Sequence, residues 1–295
     1  MRGRKQILVI GGSSKLAQSL RRILPDDSKY ISRYSLPSHS DILVDDYVNA
    51  DDQLFHDISV VINCVGTAKG SRQQLDRVNV NSAVANLEKA IAAGADHFIQ
   101  ISSFSVYGRA ELIDKDTEEH SEGSYGKSKR KAEKILLRVA GKRISVSVLR
   151  LPMLYDVSSE NKLLSLLKLW HKVKFLPVPR RPVLRSMMSY DLAAKIVGNM
   201  IENRSETTIL TAADPEPFDY QKVSTALGLS SSISFRTLSL PNFLFKVMKI
   251  ALPATYNSLF RNSVVSPRHN YAVTIALKST LYNDIRLMMN SGEND

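Results

Sequence analysis

The sequence predicts an α/β fold: a doubly wound parallel sheet followed by a smaller C-terminal lobe. Three observations carry that prediction. Short, β-branched apolar runs alternate with amphipathic helical patterns through the first two thirds of the 295 residues. The first run breaks at two glycines and passes straight into a helical pattern. After Pro152 the alternation stops.

In chain order, Ile7–Ile10, Lys29–Ile31, Ile42–Val44, Ile58–Val65, Phe98–Ile101 and Ile144–Leu149 read as strands buried on both faces. Leu16, Leu20, Ile23 and Leu24 mark one face of a helix that stops at Pro25. Ala83, Leu87, Ala90 and Ile91 mark a second helix closed by Gly94. Ala132, Ile135, Leu136 and Val139 mark a third closed by Gly141. Beyond Pro152, NKLLSLLKLWHKVKF (161–175) reads as a basic amphipathic helix and LPVPRRPVLR as a Pro/Arg-rich loop. A helix over Asp191–Ile201 and a strand over Thr207–Ala212 then return to the first domain. A strand over Ile233–Leu240 and short helices complete the chain. NFLFKVMKIAL (242–252) is expected to pack within the small lobe and SGEND to fray. The expected division is a first domain of 1–155 with 186–212 returning to it, and a lobe of 156–185 and 213–295.

Composition is that of an ordinary globular protein, with 43% hydrophobic and 23% charged residues. A single cysteine, Cys64, excludes an internal disulfide and fits a reducing compartment, so the cytoplasm is the expected location. It lies in an apolar run and reads as a buried, inert thiol. Only four apolar residues follow the basic MRGRK, which is no signal peptide, and no run approaches the ~20 apolar residues of a membrane span. The six histidines are scattered without ligand spacing, so no metal site is expected. Forty Lys+Arg against 29 Asp+Glu give a net charge of +11, which favours anionic partners. No nucleic-acid recognition module accompanies that charge.

Chemistry begins at VIGGSSKLAQSL (9–20). A close backbone approach to a pyrophosphate needs residues without bulk, followed by a helix N-terminus. Gly11 and Gly12 serve that turn, while Ser14 and Ala17 stand where a G-x-x-G-x-x-G turn has glycines. Such dinucleotide units usually place an acid about 20 residues later, on the ribose hydroxyls. Here the second strand ends in Ser32-Arg33. An arginine suits a 2′-phosphate, so NADP(H) is favoured and NAD(H) stays open.

The strongest signal is SSFSVYG (102–108) followed by SYGKSKRKAEK (124–134). Tyr125 and Lys129 are four apart and share a helix face. A tyrosine pKa near 10 needs roughly three units of lowering for proton exchange near neutrality. A lysine ammonium about 4 Å away supplies that order of energy. The expectation is therefore that Lys129 depresses Tyr125, with a serine from the preceding strand end beside it.

With these pieces the sequence resembles the extended short-chain dehydrogenase/reductase family, in its nucleotide-sugar epimerase, dehydratase and reductase branch. VIGGSSKLA, VVINCVG, RVNVNSAVANLEKA, ISSFSVYG, SYGKSKRKAEK, VLRLPMLY and RSMMSYDLA match in family order over almost the whole chain. The resemblance implies a Rossmann-like sheet with a substrate-binding lobe, and a catalytic trio of Ser103, Tyr125 and Lys129. It implies that Gly11, Ser14, Lys15 and Leu16 line the pyrophosphate and that Asp46 approaches the adenine. Val65 and Gly66 would run beneath the cofactor, with Asn79 nearby and Arg33 on the ribose side. Arg185 would grip a substrate diphosphate. Apart from the resemblance, the basic stretch 162–185 reads for most of its charges as a solvated face on a core helix, and its sharper reading is a lid over a sugar diphosphate carried by Arg185 and Asn161. Two departures stand out: Ser14 at the middle glycine, and Leu154-Tyr155-Asp156 where the family has L-Y-G.

The implied activity is hydride exchange at position 4 of a UDP-linked sugar, as a 4-keto reductase or a 4-epimerase, in polysaccharide or O-antigen precursor synthesis. A homodimer is compatible with it. A non-catalytic cofactor-binding sensor or assembly subunit is the second reading, suggested by the worn turn and high charge. A nucleic-acid or membrane adaptor rests on charge alone.

Overall fold

The fold is that of a computed structural model. It describes all residues except 1–5, 37–38, 40, 159–160, 174, 180–181, 204–205, 231–235, 241–246, 248, 253–255, 258–259 and 291–295. For 162, 171, 173, 175–179, 227–230, 236–240 and 290 only the backbone is described. The chain forms two compact units. The first holds Met1–Arg109, Glu118–Leu151 and Tyr190–Ala212; the second holds Ala110–Thr117, Pro152–Ser189 and Ala213–Asp295.

In chain order the strands are β1 (Ile7–Ile10), β2 (Lys29–Ser32), β3 (Ile42–Leu43), β4 (Val60–Asn63), β5 (His97–Ser103), β6 (Leu112–Ile113) and β7 (Ser145–Leu151). After them come β8 (Met153–Tyr155), β9 (Phe175–Pro179), β10 (Leu184–Arg185), β11 (Met187–Ser189), β12 (Thr208–Thr211), β13 (Phe218–Asp219), β14 (Arg236–Leu240) and β15 (Val264–Val265). The helices are α1 (Lys15–Arg21), α2 (Arg72–Asp76), α3 (Ser82–Ala92), α4 (Ser124–Ala140), α5 (Lys162–Val173), α6 (Tyr190–Glu202), α7 (Tyr220–Ser230), α8 (Tyr271–Thr274) and α9 (Leu281–Asn290).

The first unit is a Rossmann-like α/β body. Its seven described strands are parallel, in the order β12-β7-β5-β4-β1-β2-β3. Strands β1, β4 and β5 are rich in Val and Ile and almost wholly buried, as strands covered on both faces must be. The order reverses between β1 and β4. Right-handed crossovers then put α1 on one face and the α3–α4 pair on the other. Helix α6 packs on α1, where the Ser19 hydroxyl donates to Asp191 at 2.7 Å. Ile23, expected on the buried face, is 43% exposed because α1 has ended before it.

The second unit gathers its own core from Tyr155, Leu163, Leu167, Trp170, Phe218, Tyr220, Phe260 and Leu281. The apolar face of α5 is therefore core, with Trp170 5.6 Å from the Tyr220 ring, while Lys168, Leu169 and Lys172 are exposed. Buried Asp214 caps α9, accepting from the Thr280 and Leu281 amides at 3.0 and 3.2 Å. The segment expected to pack in this lobe does not do so at its described residues: Val247, Ile250 and Leu252 are exposed, Ile250 by 83%. Most of that segment, the start of the expected strand at Ile233, and Lys174, Arg180 and Arg181 of the basic stretch lie outside the described residues. Among the described residues no helix is long and apolar enough to cross a membrane.

Candidate active site

At the strand-order reversal, where ligands of open α/β sheets bind, a cavity of about 580 Å³ opens. Its walls come from three strand ends: Gly11, Ser13 and Ser14 after β1, Arg33 after β2, and Cys64, Val65, Gly66 and Thr67 after β4. Gly11 has φ +88°, and a Cβ there would press to 3.1 Å from the Val65 amide nitrogen. The turn therefore holds two strand ends in contact while leaving its outer face bare. Ser14, in the middle glycine position, caps α1, its Oγ accepting from the Ala17 amide at 3.2 Å. Of the other predicted turn residues, Lys15 is not in the cavity wall and Leu16 is buried. Cys64 borders the cavity instead of lying sealed in the core, and burial pushes its thiol up to about 12.

Arg33 lines this cavity and a neighbouring one of about 270 Å³, where it meets Asp46, Tyr47 and Arg77. Asp46 pairs with Arg77, whose hydrogen bond holds the carboxyl below its usual range, and also accepts from the Val48 amide at 3.0 Å. The sequence offers no acid at the end of β2, but the structure brings one there. Asp41 enters just before β3, and its fully buried carboxylate is bonded by Arg21 and by Ser32. It packs against Gly12, where a Cβ would come within 2.5 Å of it. Arg21 in turn stacks 3.7 Å over the Tyr30 ring. This carboxylate was missed because it arrives from the next strand rather than from the last residues of β2.

Across the cavity, Gly66 lies against Lys129: a Cβ at Gly66 would be 2.9 Å from Nζ. Lys129 is buried and donates to the Ile101 carbonyl at 3.0 Å. Burial lowers its pKa to about 8, against the opposing pull of Glu133 and Cys64. Asn79 sits in a π-helical turn, Arg77–Asn81, between α2 and α3. Its amide accepts from the Thr67 nitrogen at 2.8 Å, donates to the Thr67 carbonyl at 2.9 Å and donates to the Ser128 hydroxyl at 2.8 Å. Asn79 thus ties the loop after β4 to the helix that bears Lys129.

Tyr125 lies in the first turn of that helix, and Ser103 ends β5, where its hydroxyl donates to Ser105 Oγ at 3.0 Å and accepts from the Ser105 amide at 3.2 Å. Gly126 permits the approach, since any Cβ there would collide with the Ser105 carbonyl. The electrostatics depart from expectation. Burial raises the Tyr125 pKa, the Ser103 hydroxyl opposes the rise, and Lys129 does not figure among its causes. The lysine charge is itself disfavoured by burial and turned to the Ile101 carbonyl.

In the second unit, Arg185 donates to the Asn257 and Arg261 carbonyls, both at 3.1 Å. Asn161 accepts from the Leu164 amide at 2.9 Å and donates to the Asp156 carbonyl, which caps the start of α5. No group of residues able to hold a metal ion occurs among the described residues.

The family model described as "NAD dependent epimerase/dehydratase family" matches residues 13–168. No curated protein matches the chain. Among solved structures, MoeE5 in complex with UDP-glucose and NAD is 16% identical, with a TM-score of 0.72 over 98% of this chain and 99% of that one. The Bordetella bronchiseptica enzyme WbmH in complex with NAD+ is 12% identical, with a TM-score of 0.70 over 97% and 98%. The dTDP-4-dehydrorhamnose reductase of Bacillus anthracis in complex with NADP is 13% identical, with a TM-score of 0.69 over 98% and 99%. These likenesses show the shared fold, and the family match spans more than half of the 295 residues. The chain therefore belongs to the NAD dependent epimerase/dehydratase family, within the extended short-chain dehydrogenases/reductases.

Proposed function

We propose that the protein is an NADP(H)-dependent oxidoreductase that reduces the 4-keto group of a nucleoside-diphosphate sugar, UDP-linked by preference. The observation that carries the choice of reaction is the charge pattern at the end of β2. Arg33 lines both cavities, while the carboxylate packed against Gly12, Asp41, is buried and consumed by Arg21 and Ser32. A 2′-phosphate finds the Arg33 cation there, and the Asp46 carboxylate beside it is already paired with Arg77. That suits a cofactor which enters reduced and leaves oxidised. A self-recycling epimerase gains instead from a free ribose-binding acid.

The cavity suits a dinucleotide: Gly11, Ser13, Ser14 and Gly66 line it with bare backbone and small side chains, and Gly11 lets the ends of β1 and β4 close together. When bound, the dinucleotide supplies the hydride. Tyr125 donates the proton to the new alkoxide, Ser103 orients the oxygen, and Lys129 stabilises the resulting phenolate. Arg185 and Asn161 are proposed to hold the sugar nucleotide. Epimerisation is the competing reading, and the printed descriptions of MoeE5 and WbmH with NAD keep it in view.

One experiment separates the two. The protein is given NADPH or NADH with a UDP-4-keto-6-deoxy sugar, and separately a UDP-hexose with no added cofactor. Consumption of NADPH with the keto sugar is the expected result. Conversion of the UDP-hexose to its 4-epimer without net cofactor consumption puts the epimerase first. No turnover of either, with NADPH still bound, returns the sensor reading.

A further inference from the structure

Beneath the candidate trio runs a buried charged row that the reaction does not itself use. Ser102 on β5 and Thr211 on β12 both stand opposite Arg150 on β7 in the parallel register, so the three side chains share one sheet face. Such faces are normally apolar. Here the Arg150 side chain is 5% exposed and that of Glu133, which descends on it from α4, is 2% exposed. Arg150 Nε lies 3.2 Å from both Glu133 oxygens, and its terminal nitrogen reaches Oε2 at 2.6 Å. Ser102 donates to the same carboxylate. The other terminal nitrogen of Arg150 donates to the Tyr107 hydroxyl at 2.9 Å, which meets Thr211 at 2.8 Å, while the nitrogen bonded to Glu133 also donates to Glu119. Glu119 is held by Arg130 at 3.0 Å.

Glu133 is one helical turn beyond Lys129, and Ser102 adjoins Ser103. The cluster thus grips the two elements that carry the trio at the points where they must be aligned. We propose that Glu133 and Arg150 are positioning residues, whose ion pair seats α4 on the Ser102–Arg150–Thr211 row and so fixes Tyr125 and Lys129 against Ser103. The proposal rests on the catalytic reading of Tyr125 and Lys129. Stability alone is a poor reason for such a pair, because apolar replacements of buried ion pairs are often as stable or more so. Alignment is a better one, since small misplacements of reacting groups are costly in rate.

Two variants and two readouts test this. Glu133→Gln keeps the shape and the Ser102 contact but removes the charge. Glu133→Met with Arg150→Met removes both charges, so that no orphan is left buried. Both are expected to fold, with kcat at least about tenfold lower and KM for both nucleotides within about twofold. The second readout needs no substrate: the titration of Lys129, followed by NMR of lysine-labelled protein. The charged or titratable groups acting on Lys129 are Glu133 on its own helix and Cys64 beyond β4. Arg150 is bonded to that Glu133 carboxylate, and Glu119 and Arg130 lie behind Arg150. Loss of the Glu133 charge should therefore lower the Lys129 midpoint by about one unit.

A full kcat in either variant, an unmoved Lys129 midpoint in Glu133→Gln, or unfolding of the paired methionine variant overturns the proposal; the last makes the row structural. If the unaltered protein turns over no nucleotide sugar, the catalytic reading fails by itself, and the Lys129 titration alone decides whether Glu133 seats that helix.

Discussion

Ser103, the last residue of β5, lies close enough to Tyr125 in the first turn of α4 for its hydroxyl to oppose the burial-driven rise in the phenol's pKa. Removing one hydroxyl there costs little volume, so Tyr125→Phe is expected to keep its fold and its NADPH affinity. Acid–base groups of this kind contribute ~10²–10⁴-fold, and turnover should fall by that amount. Activity within a few-fold of the parent in a steady-state assay removes Tyr125 from the chemistry.

Lys129 ties activity and stability to pH in opposite senses. Its pKa is lowered from 10.5 to about 8 by burial. If the ammonium supports the Tyr125 phenolate, kcat/KM falls as pH rises through about 8. Stability moves the other way, because between about 8 and 10.5 the unfolded chain binds the proton that the folded chain has released. Buried cation therefore costs most below about 8. Above 9.0 the Cys64 thiol, pushed up by burial, pulls in the opposite direction, so the clean window is about 8–9. Lys129→Met should melt higher than the parent at pH 7, by about 2 °C or more, with the gain shrinking toward pH 9. A lower melting temperature across the range contradicts this.

For cofactor choice, the decisive substitution is Arg33→Ala. A hydrogen bond to a charged group is worth roughly 1.5–3 kcal/mol, so NADPH should bind about 10–100-fold more weakly. NADH, which has no 2′-phosphate, should change by less than about twofold. Equal losses for both nucleotides, measured by calorimetry, return Arg33 to the solvated surface.

Arg185 is expected to serve a substrate diphosphate while holding the Asn257 and Arg261 carbonyls. Arg185→Ala should raise KM for the nucleotide sugar about tenfold or more and leave NADPH affinity unchanged. A drop in melting temperature with an unaltered KM assigns it to the lobe's framework alone.

What could be read from the sequence was local. Gly11 announces itself because an apolar run breaks at glycine before a helical period, and Tyr125 and Lys129 because four residues make about one turn. The parallel sheet follows from alternation. Asp41, Glu133 and Arg150 were not legible as members of a site, since each acquires its partner across strands or between a strand and a helix. The supposed depression of Tyr125 by Lys129 failed for a related reason: spacing gives proximity, but burial and the Ile101 carbonyl decide where the charge goes. The exposure of Val247, Ile250 and Leu252 was hidden as well, because an apolar run does not say what it packs against.

The π turn at Arg77–Asn81 carries a consequence for the length of the chain as much as for its chemistry. Such a turn is a surplus residue lodged in an otherwise ordinary helical ladder. Deleting one residue from it, Val80 for example, lets α2 and α3 run together as a regular α-helix, with little loss of backbone bonding. The flanking turns keep their faces, and the bulged backbone that aims Asn79 is drawn back into the ladder. Asn79 swings away from Thr67 and Ser128, and the loop after β4 loses its tether. At this point a single-codon deletion is gentle on the helix and severe on the cavity, the reverse of the usual penalty for shortening a helix.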